Sequence, residues 1–248
     1  MEQEFKGRAA VITGGGRGFG KAFGEALAAR GAAVALIDID LTAAEQAAEE
    51  IGPLARAFAG DVTDAERMQA VMNEVAREHG GIDILVNNAG LHSQSYSGAM
   101  GDMGLEKTRR LFDVNINGVL TCTLAAREAM RGRKGASIVN IASSAAFPPS
   151  TAYGVSKLAV RGLTLAFSRE LGPLGIRVNA IAPGLIFTDT IRAELSQENI
   201  KLVMAQQVLK REGAEQDIVE ALLYLVSDRA SFITGETLRV TGGSAPSL

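Results

Sequence analysis

Tyr153 and Lys157 are a pair that can run acid–base chemistry. They stand four apart in Tyr153-Gly154-Val155-Ser156-Lys157, inside a helical stretch, so their side chains share one face. A phenol with its ordinary pKa near 10 is a poor base at neutral pH. An ammonium beside it favours the phenolate, as general acid–base catalysis near neutrality requires. Each unit of depression corresponds to about 1.4 kcal/mol of preference for the ionised form. Alone, the pair also fits an ordinary amphipathic helix face, and the nearby Ser143-Ser144 fits a strand-end turn.

What surrounds the pair favours chemistry. The stretch Thr13-Gly14-Gly15-Gly16-Arg17-Gly18-Phe19-Gly20 follows an apolar run, Ala9–Ile12, and opens an Ala-rich helical pattern. Glycines there allow a tight turn and close approach of a ligand, and the helix start offers free N–H groups with partial positive charge. That geometry suits a pyrophosphate and predicts a bound dinucleotide. Asp38, in Leu36-Ile37-Asp38-Ile39-Asp40, lies about 20 residues past the glycines, where an acid meets the adenosine ribose hydroxyls. A carboxylate there repels the extra phosphate of NADP; Arg17, inside the loop, could receive it. The balance favours NAD, with NADP as the alternative. Asp38 could instead cap a helix, a role that suits Asp40 better.

Strand-like runs recur at Arg8–Ile12, Ala33–Ile37, Arg56–Ala59, Ile84–Val86, Ser137–Ile141, Arg177–Ile181 and Thr237–Val240. Several are nearly continuous apolar stretches, as expected of strands covered on both faces. Helical patterns lie between them, such as Lys21–Arg30, Thr42–Ile51 and Ala65–His79. The rhythm predicts an α/β fold: a single Rossmann-type domain, 1–248, with a doubly wound parallel sheet of about seven strands and helices on both faces.

Composition narrows the function classes. A net charge of −3 offers no basic field for nucleic acid or acidic membranes. No apolar run is long enough to span a bilayer, and the polar N-terminus reads as neither signal nor transit peptide. Cys122, the only cysteine, excludes an intrachain disulfide and a cysteine metal site and suits a reducing cytoplasm; it reads as a small buried side chain. No metal site is expected. The basic turn Arg131–Gly135 reads as a solvated loop.

Taken together, the motifs resemble the short-chain dehydrogenase/reductase family over essentially the whole chain. Thr13, Gly14, Gly18 and Gly20 match its T-G-x-x-x-G-x-G loop; Asn87-Asn88-Ala89-Gly90 matches N-N-A-G; Tyr153 and Lys157 match Y-x-x-x-K; Arg177–Gly184 looks like its sixth strand and P-G turn. The resemblance implies hydride transfer between NAD(H) and a secondary alcohol or ketone. In it Tyr153 is the acid/base, and Lys157 lowers its pKa and holds the nicotinamide ribose. Ser143 stabilises the substrate oxygen, with Ser144 the lesser candidate, and Asn115 serves a proton relay. Cofactor contacts are implied at Gly14, Arg17, Gly18, Phe19, Gly20, Asp38, Ile39, Asp61, Val62, Asn88, Ala89, Gly90, Ile186 and Thr188. Thr188 could also cap the next helix.

Two departures from the family pattern stand out. Ser143 and Tyr153 are ten residues apart, a few fewer than is usual, so Ala145–Ser150 should reshape the active-site rim. Thr241 stands where the family ending usually carries Asp. Substrate is expected between 91–104, with His92, Gln94, Tyr96, Met100 and Met103, and the substrate segment 185–213, with a helical pattern through Ile191–Leu209. Sugar or polyol, hydroxy acid, steroid and 3-oxoacyl substrates all remain open, the last with NADP. Helices around Leu105–Met130 and Tyr153–Leu171, with Gln216–Ser227 and the last strand, imply a homotetramer or homodimer. The rival readings are a silent dinucleotide-binding regulator and an S-adenosylmethionine-dependent transferase.

Overall fold

The computed structural model describes residues 3–92, 96, 98–187 and 197–244. Seven strands form one parallel sheet: β1 (Ala9–Thr13), β2 (Ala33–Asp38), β3 (Ala55–Ala59), β4 (Ile84–Asn87), β5 (Ser137–Ile141), β6 (Arg177–Pro183) and β7 (Thr237–Val240). Their order is β3-β2-β1-β4-β5-β6-β7. The chain winds outward from β1 through β2 to β3, then returns to pair β4 with the other side of β1. That reversal opens a crevice beyond the carboxyl ends of β1 and β4, where ligands of open α/β sheets bind.

The helices are α1 (Gly18–Ala28), α2 (Leu41–Ile51), α3 (Ala65–His79), α4 (Met100–Met103), α5 (Leu105–Phe112), α6 (Gly118–Met130), α7 (Ala152–Leu171), α8 (Gln197–Gln206) and α9 (Glu215–Val226). Alternation along β1 feeds two cores. Ala10 and Ile12 pack with Phe23 and Leu27 of α1 and Leu222 of α9. Ala9 and Val11 pack with Met68 and Met72 of α3, Cys122 of α6 and Phe167 of α7. Burying each large apolar side chain stabilises the fold by about 1.5–3 kcal/mol. Local signals set the helix ends. Asp40 and Asp64 accept hydrogen bonds from the N–H groups of Ala43 and Arg67 as N-caps. Gly80, at φ +71°, closes α3.

The expected runs Ser137–Ile141, Thr237–Val240 and Ala65–His79 agree with β5, β7 and α3. Most other ends move by a residue or two; α1 starts earlier than Lys21, because the glycine loop itself supplies its first turn. The helix expected through Leu105–Met130 needs correction. A π-helical turn, Asp113–Asn117, interrupts it between α5 and α6. The basic turn is a strut. Arg133 forks onto Asp83 at 2.8 and 2.9 Å, and Asp83 also accepts from the Ala9 N–H at 2.8 Å. Cys122 is buried, and desolvation pushes its thiol up to about 12, so it stays protonated at neutral pH.

Candidate active site

The glycine loop has the shape an anion needs. Gly14 sits at φ +63°, and a Cβ there would lie 3.0 Å from the Ala89 Cα. At Gly20 a Cβ would fall 2.0 Å from the Gly14 carbonyl oxygen, so α1 and the loop meet as bare backbone. Gly18, at φ +51°, faces open space, with nothing within 4 Å of a Cβ position. Arg17 is the N-cap of α1, makes no side-chain cap, and no acid lies in the first turn. The helix therefore starts with uncapped N–H groups bordering open space, which fits a pyrophosphate.

Thr13 and Asn88 brace that loop. Thr13 Oγ1 accepts from the N–H groups of Asn88 and Ala89, both at 3.1 Å. Asn88 Nδ2 donates to the carbonyls of Thr13 and Gly14, both at 3.0 Å. The Asn88 side chain is thus committed to the loop.

Asp38 ends β2 beside the same loop. Its Oδ2 accepts from Gly16 N–H at 2.9 Å and its Oδ1 from Asp40 N–H at 3.0 Å. A carboxylate has about four lone-pair sites, so capacity remains for two ribose hydroxyls. Asp40 caps α2, and Arg17 pairs with Asp40. Arg17 is thus drawn toward Asp40 rather than pointing at the ribose. Ile39 is 69% exposed, an apolar surface beside Asp38 suited to one face of an adenine. On the next strand's loop, Asp61 Oδ1 accepts from Thr63 N–H and Oγ1–H, and Asp61 Oδ2 accepts from Arg110 of α5 at 3.2 Å. Burial alone would raise the Asp61 carboxyl, yet the Thr63 and Arg110 hydrogen bonds outweigh it and hold the group below its ordinary range. Val62 is buried next to it.

The candidate acid–base pair stands on α7, after β5. Tyr153 and Lys157 occupy the first two turns of α7, which Thr151 caps through the Gly154 N–H. Ser143, just past β5, caps a 3-10 turn that begins at Ser144, its Oγ accepting from the Ala145 N–H at 3.2 Å. Lys157 is buried, with Nζ 5.9 Å from the Tyr153 ring centroid and 2.7 Å from the Ile141 carbonyl oxygen that accepts its hydrogen bond. Desolvation lowers its ammonium to about 8.

One expectation is corrected here. Burial pushes the half-buried Tyr153 phenol up, and the group that pulls it back is Ser143, not Lys157. Lys157 gives its hydrogen bond to the Ile141 carbonyl, with Nζ 5.9 Å from the Tyr153 ring centroid.

Asn115 lies in the π-helical turn. Its Oδ1 accepts from Leu91 N–H at 2.8 Å, and its Nδ2 donates to the Leu91 carbonyl and to Ser156 Oγ, both at 3.1 Å. Ser156 in turn donates to the Tyr153 carbonyl at 2.7 Å. A Cβ on Gly90 would come 3.3 Å from Asn115 Oδ1 and 3.5 Å from Lys157 Nζ, so a bare glycine keeps that gap open.

On the substrate side, Ile186 is buried and pairs with Gly213 in a parallel bridge. Thr188 and Gln94 lie outside the described residues. Tyr96 lies under Lys107 Nζ, 5.1 Å from its ring centroid, while His92 and Met100 are exposed. A cavity of about 630 Å³ opens between Leu185-Ile186, Gln207–Leu209 and the end of β7 from Arg239 to Ser244. Among the described residues no group of His, Cys, Asp and Glu could hold a metal ion, and no helix is long and apolar enough to cross a membrane.

An uncapped glycine-lined helix start at the sheet's switch point fits a dinucleotide, and Ser143, Tyr153 and Lys157 stand together after β5 as the candidate reacting residues. A family model described as enoyl-(acyl carrier protein) reductase matches residues 14–245. The chain is 40% identical to galactitol 2-dehydrogenase of Rhizobium johnstonii, covering 98% of this chain and 97% of that one. It is 38% identical to 3alpha-hydroxysteroid dehydrogenase of Mediterraneibacter gnavus, covering 98% and 99%. A protein described as a D-mannonate oxidoreductase from Haemophilus influenza, crystallised with bound NAD, superposes with a TM-score of 0.90 at 27% identity, over 96% of this chain and 95% of that one. The chain belongs to the short-chain dehydrogenase/reductase family.

Proposed function

We propose that the chain is an NAD(H)-dependent dehydrogenase or ketone reductase acting on a secondary alcohol or its ketone. The observation that carries the reading is the buried Lys157 one helical turn after Tyr153, its Nζ 5.9 Å from the Tyr153 ring centroid and 3.5 Å from where a Cβ on Gly90 would stand. When bound, the nicotinamide supplies the hydride acceptor or donor. Tyr153 takes the hydroxyl proton in oxidation and returns it in reduction. Ser143 orients the substrate oxygen and donates to the phenolate, which favours the ionised form. Lys157 adds positive potential near the ring and holds the nicotinamide ribose. Asn115 fixes Leu91 and, through Ser156, the first turn of α7, and it borders the gap beside Lys157 that serves the proton relay.

The uncapped start of α1, with Gly14, Gly18, Phe19 and Gly20, would hold the pyrophosphate. Asp38, with Ile39, Asp61 and Val62, would hold the adenosine, and Ala89, Gly90 and Ile186 would line the path to the nicotinamide. NAD is favoured over NADP because Asp38 is a carboxylate beside the adenosine ribose, while Arg17 in the loop is paired at the surface with Asp40. The direct test is a panel of secondary alcohols and ketones, each run with NAD(H) and NADP(H) while reduced-cofactor absorbance is followed. Turnover of at least one pair with NAD(H) preferred supports the reading; binding without turnover across the panel would leave only a dinucleotide-binding regulator.

The assembly we propose is a homotetramer or homodimer in the cytoplasm. Leu120 and Leu124 of α6 and Leu158 and Leu165 of α7 are exposed, as are Phe232 and Leu238 near the edge strand β7. Light scattering at micromolar concentration should give a multiple of 25.9 kDa; a pure monomer refutes this part.

A further inference from the structure

The shortened rim after Ser143 is fastened by side chains that no motif assigns. Ser143 Oγ accepts from Ala145 N–H at 3.2 Å, and the Ser143 carbonyl accepts from Ala146 N–H at 3.0 Å. The turn Ser144–Ala146 is therefore tied to Ser143, the candidate for the substrate oxygen. Beyond it, the Phe147 ring is met by two guanidinium groups. Arg161 Cζ lies 3.9 Å from the ring centroid and Arg239 Cζ 4.9 Å. Arg161 stands four residues after Lys157 and eight after Tyr153, so the three share one side of α7. Arg239 reaches over from β7.

Two further contacts lock the turn to α7. Arg161 Nη1 donates to the Ala146 carbonyl at 3.1 Å. Gly154 packs so closely that a Cβ there would lie 2.8 Å from the Ala145 carbonyl oxygen. The Arg161 Nε is buried with no hydrogen-bond partner. A buried orphan donor calls for a reason, and here the guanidinium is set for the ring and the Ala146 carbonyl rather than for Nε. A flat guanidinium can lie against an aromatic face while bonding a carbonyl at its edge; a lysine ammonium cannot do both.

We propose that Arg161, Phe147 and Arg239 form a clamp that holds the shortened rim, and with it the Ser143 hydroxyl, in place at the reacting centre of Tyr153. They are positioning residues: they act through Ser143. The inference rests on the reading of Ser143 and Tyr153 as the reacting pair. Misplacement of a catalytic group by about 1 Å can cost a hundredfold in rate, and a loosened rim is expected to cost about tenfold. Because Ser143 favours the phenolate, a looser contact also moves the Tyr153 ionisation upward.

The test compares Phe147→Leu, Arg161→Lys and the conservative Phe147→Tyr with the unmodified enzyme in alcohol oxidation. Phe147→Leu and Arg161→Lys should lower kcat about tenfold and shift the low-pH limb of the pH–rate profile for alcohol oxidation upward, with the NADH dissociation constant unchanged. Phe147→Tyr, which keeps the ring, should restore both the rate and the profile. Unaltered kcat and profile in the first two overturn the clamp. So does a fall in kcat that follows thermal stability while the profile stays in place. Ser143→Ala separates the two levels. Retained turnover there overturns the underlying pair, whereas lost turnover there beside normal Phe147→Leu and Arg161→Lys enzymes overturns the clamp alone.

Discussion

Replacing Lys157 with Met should stabilise the protein at neutral pH and erase one pH dependence. The ammonium is 5% exposed and its pKa falls from about 10.5 to about 8 because burial disfavours the charge. The hydrogen bond to the Ile141 carbonyl offsets only part of that penalty. Between pH about 8 and 10.5 the unfolded chain holds this proton more tightly than the folded one. Stability therefore climbs with pH across the window, and the cost of the buried charge is fully present below it. A displacement of that size corresponds to about 3 kcal/mol across the whole window. For a chain of this length that is a change of about 6–12 °C in melting midpoint.

The assay is scanning calorimetry of the parent and Lys157→Met at matched concentration from pH 7 to pH 10. The difference in midpoint between the two should shrink or reverse by most of that amount as pH rises through 8. Parallel curves, with a constant difference, would refute the claim that Lys157 is buried as an ammonium.

Asp38→Asn keeps an acceptor for Gly16 N–H but removes the charge, so the ratio of kcat/KM for NAD over NADP should fall by about tenfold or more. An unchanged ratio would remove Asp38 from cofactor choice. Gly20→Ala drives a methyl to 2.0 Å from the Gly14 carbonyl, so NADH titration should find binding abolished or the protein unfolded; normal binding would mean the loop is not the cradle.

Much of the fold was legible because parallel strands buried on both faces are continuous apolar words. Val139 and Ile141 of β5 are examples, and α3 announces itself through Asp64 and Gly80. The π-helical turn at Asp113–Asn117 was not legible. Helical periodicity runs through it, and only the bonds of Asn115 to Leu91 and Ser156, 24 and 41 residues away, mark the turn's place at the site. The candidate residues of the site were proposed by motif, but their partners in the fold were not legible. Thr13 bonding Asn88 and Ala89, Arg110 on Asp61, and Arg161 on Phe147 all join segments distant in sequence. The buried Asn87–Asn140 bond at 2.8 Å and the Asn140–Thr164 bond at 2.9 Å belong to the same class. The direction of the Tyr153 shift was misjudged for a related reason: spacing reveals a lysine one turn away but not the depth of burial around the phenol.

Single-turnover alcohol oxidation by Tyr153→Phe, read beside NADH binding by the same variant, tests the central claim most directly. The substitution keeps the ring and removes the one oxygen said to carry the proton. NADH should bind with nearly unchanged affinity while turnover falls at least a hundredfold. Turnover near that of the parent enzyme would contradict the account.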